Sequence, residues 1–295
     1  MIALKTSEHH KNGLVSEVPS YTLKWHRAAD LFKIIDEHSA DFVESKITYS
    51  ADPRIIGTDE WDILTWNEPP EPDPLLGVIV GELIHDVRSG LDHLVRGLVL
   101  ENGGDPGEHS QFPIYDSETK WIQDVENRDP TKKPSPIAGI ADDAFEYIKE
   151  VQPYHLRHKQ RPGHPLMQLL LMSNVDKHRT LHVVSVSAQA PHTARYEPPG
   201  YVTAMKTKFV KPGVLVQSGA ELGRIRRRVI KMPPPGIDVI VRVVGKAQFG
   251  FGVTGKQPIA TLTDLSGILS FARDIILQLR PDADLSVMGD PPTTP

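Results

Sequence analysis

The spacing of apolar residues divides the chain into a helix-rich first part and a strand-rich second part. From Tyr21 to Lys46, residues Ala28, Leu31, Ile35 and Phe42 recur at helical spacing, and Ser20 stands where an N-cap is expected. "KITYSADPRII" and "EWDILTWN" alternate over short spans and predict a hairpin, closed off by the proline-rich "EPPEPDP". A second long helix is expected from near Pro74 to about Glu101, where "NGG" stops it. An irregular section follows, its best helical piece being "ADDAFEYIKEVQ". "PLMQLLLMSNVDKHRTLHVVSVSA" then starts as an apolar helix and turns to strand from Leu181.

Beyond Ala190 the pattern changes. "GYVTAMKTKFV", "GVLVQSG", "GRIRRRVIKM" and "GIDVIVRVVGKAQFGFGV" are valine-rich, alternate, and are separated by Gly and Pro, as strands of an antiparallel sheet are. "ATLTDLSGILSFARDIILQLR" closes the pattern as an amphipathic helix. The fold expected is α+β, with a helical core and N-terminal hairpin over residues 1–190 and a small antiparallel sheet with the closing helix over 191–284, packed on that core. Residues 285–295 are expected to be a disordered tail.

The stretch "GELIHDVRSGLDHLVRG", residues 81–97, holds most of the candidate chemistry. Set at about 100° per residue, Leu83, Leu94, Val87, Leu98, Leu91, Ile84 and Val95 form one apolar arc. Arg88, Asp92, His85, Arg96, Ser89, Glu82, His93 and Asp86 fill the other. Gly90 and Gly97 lie together on the border, where the missing side chains admit a neighbouring helix. The polar arc reads either as a solvated face with i,i+4 pairs, Arg88 with Asp92 and Asp92 with Arg96, or as a site. Its two histidines, and its lack of lysine and glutamine, keep the second reading open.

Composition narrows the chemistry. The absence of cysteine removes disulfides, thiolate metal sites and cysteine nucleophiles. A net charge of −5 makes any nucleic-acid contact local rather than global. No run reaches the roughly 18 apolar residues of a membrane span, and no apolar stretch follows a basic start, so a cytoplasmic chain with no membrane partner is expected. Phosphate loops, dinucleotide fingerprints and hydrolase elbows are missing from the sequence.

Two metal readings of the arc are weak in their spacing. His85, Asp92 and Ser89 share a face but are too few for a site without outside ligands. The His85-Asp86 pair has only His38 and Asp176 as companions for a metal-dependent phosphohydrolase. The third reading rests on R-x4-H, Arg88 to His93. With that motif the stretch resembles the HEPN superfamily, whose ribonucleases carry it in a helical domain. The order "HDVRSGLDHLV", "QFPI", "NVDKHRTLHVV" also looks like a group of bacterial proteins of unassigned function, over most of the chain. The HEPN resemblance itself covers the helical core.

What the resemblance implies is metal-independent RNA cleavage, without a cofactor, at a homodimer interface, in a toxin, defence or stress setting that leaves open whether a neutralising partner exists. The 2′-hydroxyl is the nucleophile; His93 moves the proton and Arg88 holds the phosphate. The two side chains point about 140° apart on an ideal helix. They therefore share a phosphate only through the reach of arginine or across a two-fold axis.

A second polar cluster interrupts the apolar helix at Asn174, Asp176, Lys177, His178 and Arg179. It reads as an internal network at a helix end, or as groups completing the first site. In the latter case Asp92 and Asn174 position the motif, His178 joins His93 in catalysis, and Lys177, Arg179 and His85 bind. Two basic strips remain. "PYHLRHKQRPGHP" carries His155, Arg157, His158, Lys159, Arg161 and His164, with Tyr154 available for stacking on a base. "GRIRRRVIK" places Arg224, Arg226 and Arg228 on one strand face, opposite Arg227.

Two other functions are compatible with the same residues. One is a non-catalytic HEPN-like interaction or scaffold protein, in which the polar arc is a partner surface. The other is a metal-dependent hydrolase using His85, Asp92, Asp176 and His178.

Overall fold

The computed structural model describes residues 18–44, 48–56, 59–68, 72–126, 134–177, 181–187, 193–211, 214, 218–244, 247–252 and 259–285. Its helices are α1 (Ser20–Glu44), α2 (Leu75–Glu101), α3 (Glu118–Trp121, continued by a π-turn to Glu126), α4 (Asp142–Glu150), α5 (Pro165–Asp176) and α6 (Leu262–Leu279). Ser20 is the first helical residue of α1 rather than its cap. The carbonyl of Pro19 takes the N–H groups of Thr22 and Leu23, so the turn closes one residue earlier than the side-chain pattern suggests. α2 ends as expected at Asn102, with Gly103 in the left-handed region at φ 77°.

α2 is the axis of the helical core. Its apolar arc is buried throughout, Leu83, Ile84, Leu91, Leu94 and Val95 completely. They share one core with residues of α1, α4, α5 and α6, among them Ala28, Ile35, Ile148, Leu169, Ile268 and Ile275. The two border glycines do what their position predicts. A Cβ on Gly90 would lie 3.4 Å from Lys24 Cβ, and one on Gly97 would lie 3.8 Å from a ring carbon of Tyr21, so α1 rests directly on this seam.

The strands form three small antiparallel sheets. β1 (Thr48–Ile56) and β2 (Asp59–Glu68) make the expected hairpin. β6 (Glu221–Val229) pairs with β2, and β5 (Val202–Phe209) with β6, giving the order β1-β2-β6-β5. A hairpin placed between two core helices in sequence is thus continued by strands from the far end of the chain. β4 (Thr193–Glu197) pairs with β7 (Ile240–Val244), and their Tyr196, Ala194 and Val241 cover the inner face of the four-stranded sheet at Leu64, Trp66, Leu222 and Ile225. β3 (His182–Ser187), β8 (Ala247–Gly252) and β9 (Ala260–Thr261) form the third sheet, and Phe249 and Phe251 of β8 join the helical core.

The α+β class, the antiparallel pairing and the closing helix are as expected; the single sheet expected over 191–284 is instead divided among three, one of which continues the N-terminal hairpin. Most of "GVLVQSG" and residues 286–295 lie outside the described residues; Leu285, placed in the tail by the sequence pattern, is buried in the core. No helix among the described residues is long and apolar enough to cross a membrane.

α6 starts with a capping box. Thr261 Oγ1 takes the Asp264 N–H, and Asp264 Oδ2 takes the Thr261 N–H at 2.7 Å. Thr261→Ala should cost about 1 kcal/mol in urea unfolding, because it orphans a donor at the start of a helix that is buried in the core.

A satellite aromatic cluster gathers around Trp121, with Tyr115, Phe145 and Tyr154 edge-on or tilted against it. Burial and the neighbouring Asp124 push the Tyr115 phenol up to about 12; burial and nearby glutamates do the same for Tyr154. Between the ordinary phenol value of about 10 and the folded value, the folded chain holds protons that the unfolded chain has lost. Stability should accordingly be intact below about pH 10 and fall as pH rises through that window. Urea midpoints measured across it should decline in the wild type, and decline less in Tyr154→Phe, whose hydroxyl has no hydrogen-bond partner to lose.

Candidate functional site

The polar side chains of α2 do not face water as a set. Asp86 is 3% exposed and turned toward α1. Lys24 Nζ reaches its Oδ1 at 2.6 Å and Arg27 Nε its Oδ2 at 2.9 Å, while Arg27 Nη2 also holds Glu82 at 3.0 Å. A carboxylate this buried keeps its charge only with cations beside it, and α1 supplies two of them. The sequence places Asp86 in the polar arc and in a His85-Asp86 pair, and neither reading makes it interior. The i,i+3 spacing of Lys24 and Arg27 is the signal that could have paired it with the neighbouring helix.

Arg88 and Asp92 make the i,i+4 pair that the spacing predicts, at 3.2 Å. Their main partner, however, is backbone. Arg88 Nη2 donates to the Phe112 carbonyl at 2.7 Å, and Asp92 Oδ1 accepts the Phe112 N–H at 2.8 Å. One helix turn thus holds both polar groups of a residue in a segment without regular secondary structure, while the Phe112 ring is fully buried in the core. Burial pulls the Arg88 guanidinium below its ordinary value, with Asp92 opposing. Burial raises the Asp92 carboxyl, against the pull of Arg88, the Phe112 N–H, His93 and Lys177. The expected Asp92 to Arg96 pair is not among the ion pairs of the described residues; Arg96 Nη1 donates instead to the Gly107 carbonyl at 3.2 Å.

His93 is half-buried, and its Nδ1 is enclosed without a hydrogen-bond partner, as is Arg88 Nη1. Lys177 is exposed at the end of α5, close enough for its charge to act on Asp92, so the two polar clusters do approach one another. Asn174 is exposed, and no hydrogen bond among the described residues joins it to Arg88 or His93. His178 and Arg179 lie outside the described residues.

His85 is exposed and lines an open cleft of about 560 Å³ with Lys24, Arg27, Glu82, Asp86 and Asp176. Asp176 sits over Gly81, where a Cβ would come within 2.4 Å of its Oδ1. The cleft therefore unites His85 and Asp176 but not Asp92, and Asp86 is committed to Lys24 and Arg27. His38 is on α1, its Nδ1 bonded to the Ile34 carbonyl of its own helix. Among the described residues no group of three or more His, Asp and Glu side chains has the arrangement to hold a metal ion.

The loop after α4 uses half of its basic residues internally, while Arg157, His158 and Lys159 are exposed and make no side-chain hydrogen bond or ion pair among the described residues. Arg161 donates to the carbonyls of Leu156, Asp116 and Tyr154. His155 Nε2 meets the Lys149 carbonyl, and His164 Nδ1 accepts the Leu166 N–H as the cap of α5. Tyr154 is 6% exposed beneath Trp121 and so offers no surface for a base; the apolar aromatic cluster claims it first. Comparison with protein-family models, with curated proteins and with solved structures finds no match to this chain.

The clamp on Phe112 makes a stability prediction. Asp92→Ala leaves a buried N–H and a buried guanidinium short of a partner, and Arg88→Ala strips the Phe112 carbonyl and the Asp92 carboxylate. Each should lose about 2–4 kcal/mol in urea unfolding. The double variant should lose less than the sum, with a coupling of about 1–3 kcal/mol. Additive losses would mean that the two side chains hold the segment independently.

Proposed function

We propose that this chain is a non-catalytic HEPN-like binding or scaffold protein rather than an endoribonuclease. The observation that carries this reading is the commitment of Arg88. A phosphate-binding arginine must present its fork to an incoming ligand, whereas this one is 16% exposed and spent on the Phe112 carbonyl and Asp92. Its remaining Nη1 and the Nδ1 of His93 are enclosed, so neither is open to an incoming phosphate in this conformation. The R-x4-H spacing then serves structure, and the exposed parts of the helical unit serve contact with a partner.

One observation favours the nuclease as a second reading. His93 and Lys177 are both near enough to Asp92 to oppose the rise of its carboxyl, so a group able to move protons and a group able to attract phosphate stand in its neighbourhood. That chemistry would need a two-fold dimer to supply the phosphate fork that Arg88 does not offer.

RNA incubated with purified protein in EDTA separates the readings. The expected outcome is no cleavage by folded wild-type protein, with Arg88→Ala and His93→Ala indistinguishable from it in that assay. Cleavage in EDTA that disappears in both variants would establish the nuclease and sink the scaffold reading. Cleavage that chelation abolishes would point instead to a metal-dependent hydrolase.

A further inference from the structure

The outer face of the four-stranded sheet carries an arrangement that the helical site does not use. Its register sets out two cross-strand rows. Arg54 lies opposite Trp61, Trp61 opposite Arg226, and Arg226 opposite Lys206; Asp52 lies opposite Ile63, Ile63 opposite Arg224, and Arg224 opposite Lys208. Arg228 continues the face one step along β6, opposite Thr203. These positions alternate with Asp62, Leu64, Ile225 and Arg227, which point inward toward the cover formed by β4 and β7.

The face thus holds six cations, Arg54, Arg224, Arg226, Arg228, Lys206 and Lys208, against the carboxylates of Asp52, Asp59 and Glu221. Arg54 pairs with Asp52, Arg226 with Asp59 and Arg224 with Glu221. No ion pair among the described residues falls to Lys206, Lys208 or Arg228, and all three are exposed. The surplus is positive on a chain whose net charge is −5.

Protection of a sheet edge accounts for Lys206 and Lys208, because β5 is an edge strand. It does not account for β6, an interior strand with three arginines at alternate positions on one face. Their spacing of about 6.6 Å makes a straight line of charge beside a half-buried tryptophan. A row of cations with an aromatic ring among them has the chemistry of a surface that follows a phosphate backbone and stacks a base.

We infer that the outer face of the β1-β2-β6-β5 sheet binds single-stranded nucleic acid, with Lys206, Lys208 and Arg228 contacting phosphates and Trp61 stacking a base. This goes beyond the reading of α2 and does not rest on it. The test uses the full chain and a fluorescent single-stranded DNA of about 12 nucleotides, followed by anisotropy from about 50 to 200 mM salt. DNA lacks the 2′-hydroxyl, so binding is measured whether or not the chain cuts RNA.

Wild-type protein should bind and weaken with salt. The triple variant Lys206→Ala, Lys208→Ala, Arg228→Ala should bind at least tenfold more weakly, with its salt slope reduced by about 2, three contacts at about 0.7 each. An unchanged melting temperature will show that the sheet is intact. Trp61→Phe should keep most of the affinity, and Trp61→Ala should lose severalfold without a change in slope. Absence of binding by folded wild type, or equal binding by the triple variant, overturns the proposal. So does binding confined to phosphatidylserine vesicles, which would assign the face to an anionic membrane.

Discussion

Burying α2 among other helices requires the charges on its polar side to be neutralised within the fold, and that requirement organises the helical unit. A helix with one apolar arc can leave the other in water. Here α1 approaches along the seam of Gly90 and Gly97 and covers Asp86, which is tolerable only because Lys24 and Arg27 arrive on the same helix. On another side, Arg88 and Asp92 pair with each other and satisfy the two backbone groups of Phe112. The ring of Phe112 is driven into the core by its apolar surface, and the helix removes the penalty that its peptide groups would otherwise impose. Packing and polar pairing are therefore one arrangement, and neither half is stable without the other.

The same arrangement bears on function. Residue types that suit phosphate chemistry also suit the task of fixing backbone in a dry interior, because a guanidinium fork and a carboxylate are strong hydrogen-bonding partners for carbonyl and N–H alike. Which task they perform is decided by what lies opposite them. For Arg88 that is a carbonyl 24 residues further along. Three of the basic residues after α4 follow the same rule: Arg161, His155 and His164 are fastened to main-chain groups.

Much of this was legible in the residues themselves where the information is local. The apolar arc of α2, the close approach at its glycines, the hairpin ends and the start of α6 depend on spacing within a turn or two, so periodicity finds them. The role of Phe112 was not legible, since "QFPI" lies in a stretch without period and nothing local says which helix turn receives it. The partner of the β1–β2 hairpin was hidden for a related reason. Alternation reveals that a strand has two faces but not which distant strand lies at its edge. Asp86 fell between these cases: its own helix marks it as polar, and only the neighbouring helix makes it interior.

The union of β2 with β6 reaches beyond architecture to the order in which the chain can assemble. Arg227 and Glu60 meet across 167 residues, so on a ribosome the hairpin emerges long before the strand that completes its sheet. Over that interval one long edge of β2, with Trp61 and Ile63, has no strand to pair with, the condition in which strands join the wrong partner. β6 adds arginines beside this edge and closes the loop late, so the sheet is among the last parts of the molecule to form. Shortening the chain anywhere before β6 would therefore damage a unit that begins near its other end.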